Sequence, residues 1–166
     1  SLGVLRKIRS EIPVSVALSL YYSLVYPYLT YCNAVWGGTA KTTLMKLELL
    51  QKRAVRIISN SSFLSHSTPL FNSLQILKIH DIHKFMICQI MYKLHSAGEL
   101  SEVIHHHNTR NKNDIRPAFK RLNVTRRSIS CIGPYYWNHI PLNIKSMDKL
   151  SSFRSTLKSY IVDSYG

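Results

Sequence analysis

Residues 39–62 read TAKTTLMKLELLQKRAVRIISNSS. Within them Leu44, Leu47, Glu48, Gln51, Ala54, Val55 and Ile58 recur at i, i+3, i+4 spacing, the period of one face of an α-helix. Thr39 opens this helix, and the polar run Ser59-Asn60-Ser61-Ser62 closes it. The rest of its circumference carries Lys41, Lys46, Lys52, Arg53 and Arg56, with Glu48 the lone acid. Lys52, Arg53 and Arg56 fall within about one helical turn of each other. A mostly apolar stripe on the core and a basic ridge outward can lie along a phosphate backbone, holding a duplex without reading its sequence. A solvated charged face is the other reading of the same pattern.

Upstream, residues 14–36 (VSVALSLYYSLVYPYLTYCNAVW) are apolar on most faces, which predicts helix that is at least partly buried all round. Ser10 is its candidate N-cap, and Pro13 falls in the first turn, where a missing N–H costs little. Pro27 removes one helical hydrogen bond and should split the segment near Tyr26, and Gly37-Gly38 ends it. Tyr21, Tyr22, Tyr26, Tyr28, Tyr31 and Trp36 could stack on bases, but their apolar neighbours favour packing.

Downstream, a short helix is expected over Pro69–Leu74 with Thr68 as cap. A longer one, about His80–His95, buries Ile79, Ile82, His83, Met86, Ile87, Ile90, Met91 and Leu94 and stops at Gly98. Residues 101–124 are polar, basic and Asn-rich, and read as a loop or extended arm. Alternation suggests a strand near Arg127–Cys131, followed by a break at Gly133-Pro134 and a compact turn-helix anchored by Tyr135, Tyr136, Trp137, Pro141 and Leu142. A last helix over Leu150–Val162 points Phe153, Leu157, Tyr160 and Ile161 inward. The expected fold class is therefore mainly α, a compact helical domain with a short β-hairpin in the second half.

At 166 residues with 45% hydrophobic content, the chain can build a core. Lys plus Arg exceed Asp plus Glu by 22 − 8 = 14, an excess that suits a polyanionic partner. Residues 1–60 and 105–130 each hold +6, flanking a neutral stretch at 61–104. No apolar run reaches the roughly 18 residues needed to span a bilayer, so no membrane partner is expected. Cys32, Cys88 and Cys131 are too scattered for a disulfide framework or a metal knuckle, which suits a reducing compartment, nuclear or cytoplasmic and not secreted.

Catalytic signals are few. The eight acids (Glu11, Glu48, Asp81, Glu99, Glu102, Asp114, Asp148, Asp163) include no adjacent pair, and there is no phosphate-cradling glycine loop, GxSxG or HExxH. No metal site and no cofactor are expected. His80 and His83, three apart, lack a third ligand and are expected to be one half-buried and one exposed side chain. His105-His106-His107 precedes Arg110, Lys112, Arg116, Lys120, Arg121, Arg126 and Arg127, a basic run that could contact phosphates.

The stretches LYYSLVYPYLTYCNAVWGG and LELLQKRAVRIIS resemble the segment that follows the polymerase palm in reverse transcriptases of non-LTR (LINE-type, jockey-like) retrotransposons. So do HHHNTR, then RSISCIGPYYWNHIP and LSSFRSTLKSYI, in the same order, from about Leu5 to Tyr160. The resemblance implies a thumb-like helical segment at residues 1–60 and a C-terminal helical region at 61–166 with a basic loop at 105–130. It implies that the thumb holds RNA or an RNA–DNA duplex by its backbone, and that the palm and fingers are protein partners. The family's polymerase site is a Tyr/Phe-x-Asp-Asp turn on the palm. This chain has no Asp-Asp pair and opens on Ser1, so it is read as a fragment without polymerase chemistry of its own. A domesticated protein–protein interaction module, or a relic without function, are the alternatives.

Overall fold

A computed structural model describes residues 2–100, 114–122 and 125–165. Among them are ten α-helices and one 3₁₀ turn: α1 (Leu2–Ile8), α2 (Val14–Leu24), α3 (Tyr26–Thr30), α4 (Asn33–Trp36), α5 (Lys41–Ile58), α6 (Ser67–Ser73), α7 (Ile79–Ser96), the 3₁₀ turn Thr125–Arg127, α8 (Ile129–Asn138), α9 (Leu142–Lys145) and α10 (Leu150–Asp163). The described residues contain no strand, so the chain is mainly α as its sequence pattern predicts. They form two compact units, one of residues 1–83 with 158–166 and one of residues 84–157.

In the first unit α5 packs against α1, α2 and α6. Ala17 and Tyr21 of α2, Ala54, Val55 and Ile58 of α5, Phe71 of α6 and Ile76 form its core. Full burial of a Val, Ile or Phe side chain contributes roughly 1.5–3 kcal/mol relative to exposure, so this small set outweighs any propensity effect. The long apolar run divides at Pro27 as expected: α2 stops at Leu24 and Pro27 sits in the first turn of α3. Of its aromatic residues Tyr21 is buried, Tyr22, Tyr26 and Trp36 are half-buried, and Tyr28 and Tyr31 are exposed.

Gln51 is the polar member of the α5 stripe and is 1% exposed. Its Nε2 donates to the Leu77 carbonyl at 2.8 Å and to the Tyr21 hydroxyl at 3.1 Å, and its Oε1 accepts from the Ile79 N–H at 2.9 Å. One amide thus ties α2, α5 and the start of α7 together. The Tyr165 hydroxyl accepts from the neighbouring Lys78 N–H at 3.0 Å and donates to the Asp81 carboxylate at 2.6 Å. Two backbone donors at the N-terminus of α7, which an α-helix cannot satisfy internally, are therefore capped by side chains distant in sequence.

His83, also on α7, is buried, and its Nδ1 lies 3.1 Å from the Asn33 carbonyl. A carbonyl only accepts, so Nδ1 carries the proton. Burial holds the imidazole pKa below its ordinary value, against the opposing effect of that bond. His80 is half-buried, so neither histidine is the exposed one expected; His83 falls on the same face as Ile79 and Ile82. Gly37 closes α4 with φ −66, so its role there is spatial. A Cβ would stand 2.6 Å from both the Asn33 carbonyl oxygen and His83 Nδ1.

Three helices end in the same left-handed turn. After α5, Ser61 N–H donates to the Arg56 carbonyl and Asn60 N–H to Ile57, with Asn60 at φ 51; Gln75 and Gly98 serve α6 and α7 in the same way. Gly98 is the stop that the sequence predicts.

In the second unit the Tyr92 and Phe153 rings stack at 4.3 Å, with Trp137 beside Phe153 at 6.1 Å. The strand and hairpin expected near Arg127–Cys131 are absent among the described residues: that stretch is the end of the 3₁₀ turn and the start of α8. The break expected at Gly133-Pro134 is also absent, and both residues lie inside α8. Pro134 has no N–H for the Ser130 carbonyl, but the Ala118 N–H donates to that carbonyl at 3.1 Å. Gly133 permits close approach, since a Cβ there would meet the Met91 sulfur at 2.6 Å.

Replacing Gln51 with Leu keeps the volume and strands the Leu77 carbonyl, the Ile79 N–H and the Tyr21 hydroxyl. At about 1 kcal/mol or more per stranded group, urea unfolding should show a loss of about 3 kcal/mol. A loss below about 1 kcal/mol would show that these groups find other partners.

The arginine cavity as a candidate nucleic-acid interface

The turn that caps α5 also builds a pocket. By reversing the chain at Asn60 it sets Ser61, Ser62 and Phe63 beside the last turns of the helix. Arg56 Nε donates to the Ser65 carbonyl at 2.8 Å and Ser65 N–H to Ser62 at 3.1 Å, which fixes the loop. On the other side α1 is anchored by Leu5, 1% exposed. Between them lies a cavity of about 450 Å³ lined by Arg6, Arg9, Arg53, Arg56, Ile57, Ser61, Ser62 and Phe63. Four arginines line this space and no acidic residue does. Among the described residues the ion pairs are Lys52–Glu48 and His80–Glu48, so none of the four arginines is neutralised by a protein acid.

The expected ridge of Lys52, Arg53 and Arg56 is thereby divided. Arg53 and Arg56 line the cavity, whereas Lys52 Nζ lies 2.6 Å from the Glu48 carboxylate one turn back. The Lys52 hydrogen bond holds the Glu48 carboxyl below its ordinary pKa against the opposing effect of burial, and His80 adds to the lowering. Arg6 and Arg9 were not among the sequence candidates; their i, i+3 spacing beside a buried leucine was the available signal. Phe63 was missed as well, and nothing in its local sequence distinguishes it from a core residue.

The second unit carries its own basic surface. Asn138 brackets Ile115, accepting from its N–H at 3.1 Å and donating to its carbonyl at 2.9 Å. Cys131 Sγ donates to the Ala118 carbonyl at 2.9 Å. These bonds hold residues 115–118 against α8 and leave Arg116, Lys120 and Arg121 exposed. Arg126 and Arg127 are exposed too, and Arg126 Nε donates to the Lys120 carbonyl at 3.0 Å. Arg110, Lys112 and the run His105-His106-His107 lie outside the described residues.

A further cavity of about 510 Å³ in this unit is lined by His95, Ile115, Trp137, Leu142, Asn143, Lys145 and Ser146. Burial lowers the Lys145 pKa and raises the nearby Cys88 thiol to about 12, which keeps that thiol protonated and unreactive. Among the described residues no three His, Cys, Asp or Glu side chains group to hold a metal ion, and no helix is long and apolar enough to cross a membrane.

No protein-family model matches the chain, and neither a curated protein nor a solved structure matches it significantly.

The pairing of Lys52 with Glu48 sets an order of effects. In anisotropy titrations with a nucleic-acid duplex, Lys52→Gln should change affinity less than twofold, and Arg53→Gln should weaken it several-fold. Equal effects of the two substitutions would return the site to a uniform ridge.

Proposed function

We propose that this chain is a nucleic-acid-binding thumb and C-terminal segment of a non-LTR retrotransposon reverse transcriptase, gripping RNA or an RNA–DNA duplex through phosphates without polymerising. The observation that carries the binding reading is the convergence of Arg6, Arg9, Arg53 and Arg56 on one cavity with no carboxylate on its walls. Guanidinium groups offer paired N–H donors matched to phosphate oxygens, and crowding four of them is unfavourable until an anion enters. The second unit separately exposes Arg116, Lys120, Arg121, Arg126 and Arg127, a basic surface of its own that a polyanion could contact. The retroelement origin rests on the sequence resemblance alone. The absence of an Asp-Asp pair from the sequence supports binding without synthesis.

A second reading, a protein-interaction module, is favoured by exposed apolar side chains. Met45, Leu49 and Leu50 of α5 and Val14, Val16 and Leu24 of α2 are each more than a third exposed. In that case nucleic-acid affinity would be weak and insensitive to the arginines.

Titration of the full chain with an RNA–DNA hybrid at two salt concentrations separates the readings. The nucleic-acid reading expects affinity to fall steeply with salt, and the double substitution Arg53→Gln, Arg56→Gln to reduce the log–log salt slope by roughly two. Salt-independent binding, or nucleotide incorporation in the presence of magnesium, would contradict it.

A further inference from the structure

We infer that the arginine cavity takes an unpaired nucleotide, its phosphate among the four guanidinium groups and its base stacked on Phe63; this rests on the nucleic-acid reading above and names the form of ligand. Three observations carry it. The first is size: about 450 Å³ lies within the range of pockets that enclose a small ligand, room for one nucleotide beside a phosphate-contacting surface. The second is composition. The walls combine four arginines with Ser61 and Ser62, residue types whose N–H and O–H groups donate to phosphate oxygens, the Ser61 hydroxyl being shared with Ser59 at 2.8 Å.

The third is Phe63. It is 69% exposed, an aromatic ring left in water at the wall of a cationic pocket. Its position is held by the left-handed Asn60 cap and by the bond from Arg56 to Ser65, so the ring is presented by a braced turn. Bases in a duplex are stacked on their neighbours and hidden from such a ring. A base in a single strand, or at a frayed or overhanging end, offers its π-face to it. Stacking of this kind is indifferent to base identity, so the site would grip single strands of any sequence.

The test compares three probes: a single-stranded oligothymidylate, its abasic counterpart with the same sugar-phosphate chain and charge, and a blunt RNA–DNA hybrid of the same length, for each of which the variant is read against the unaltered chain. Anisotropy is read for the full chain and for Phe63→Ala, whose exposed side chain contributes little to folding. The inference expects Phe63→Ala to weaken the oligothymidylate by about fivefold or more, and to leave the abasic strand and the hybrid within twofold. In a second measurement, an oligonucleotide bearing 5-iodouracil should photocrosslink to the peptide containing Phe63. Equal effects on all three probes, no effect on any, or crosslinks confined to other peptides would overturn the inference while leaving the phosphate grip standing. Failure of all three probes to bind would overturn the nucleic-acid reading itself.

Discussion

The buried Gln51 amide is the constraint on which the first unit depends. A polar side chain at 1% exposure is tolerable only when its donors and acceptor are all used, and Gln51 uses them on three groups in two separate segments. Its bonds to Leu77 and Ile79 set where α7 begins, and its bond to Tyr21 fixes the rotation of α5 against α2. Burial and the aromatic neighbours push the Tyr21 phenol upward, so it stays protonated. With one face of α5 locked inward, Arg53 and Arg56 fall on the side of the helix that lines the cavity. The C-terminal cap at Asn60 then folds Phe63 back beside them. A core interaction and a capping motif, neither of them functional in itself, together shape the cavity.

The cavity also gathers positive charge that no protein carboxylate pairs. Elsewhere in the same unit Lys52 pairs with Glu48, Lys78 lies over the Tyr165 ring at 4.0 Å, and Lys158 donates to the Tyr22 hydroxyl at 3.1 Å, while Lys7, Lys41 and Lys46 stand exposed. Arg56 places its Nε–H on a backbone carbonyl and lines the pocket with Arg6, Arg9 and Arg53. A +14 chain has too few acids to pair its cations. Which cations are left over is decided by packing, and four of them line one concavity.

Much of the helical layout was legible in the sequence, because it rests on local rules. The α5 stripe, the division at Pro27 and the stop at Gly98 follow from period, proline and glycine, and on α10 Phe153, Leu157 and Ile161 are buried as expected whereas Tyr160, expected inward, is 42% exposed. What escaped was set by distant partners. Pro134 reads as a breaker until the Ala118 N–H is found on the Ser130 carbonyl, and the strand expected around Ser130 disappears with it. Gln51 was visible as a stripe position, but its three partners lie about thirty residues away. The site was half legible. Arg53 and Arg56 stood out on α5, whereas joining them to Arg6 and Arg9 requires knowing that α1 packs on α5. Lys52 was included because sequence shows charge and spacing, while its pairing with Glu48 at i, i+4 could have been weighed against it.

The most direct measurement of the account is side-chain NMR of the arginine Nε–H groups during titration with an unlabelled RNA–DNA hybrid bearing a single-stranded overhang. Residue-specific assignment distinguishes the two basic surfaces. The account predicts saturable shifts for Arg6, Arg9, Arg53 and Arg56 at the lowest ratios of added nucleic acid. Shifts confined to Arg116, Arg121, Arg126 and Arg127, with the four cavity arginines unmoved, would contradict it.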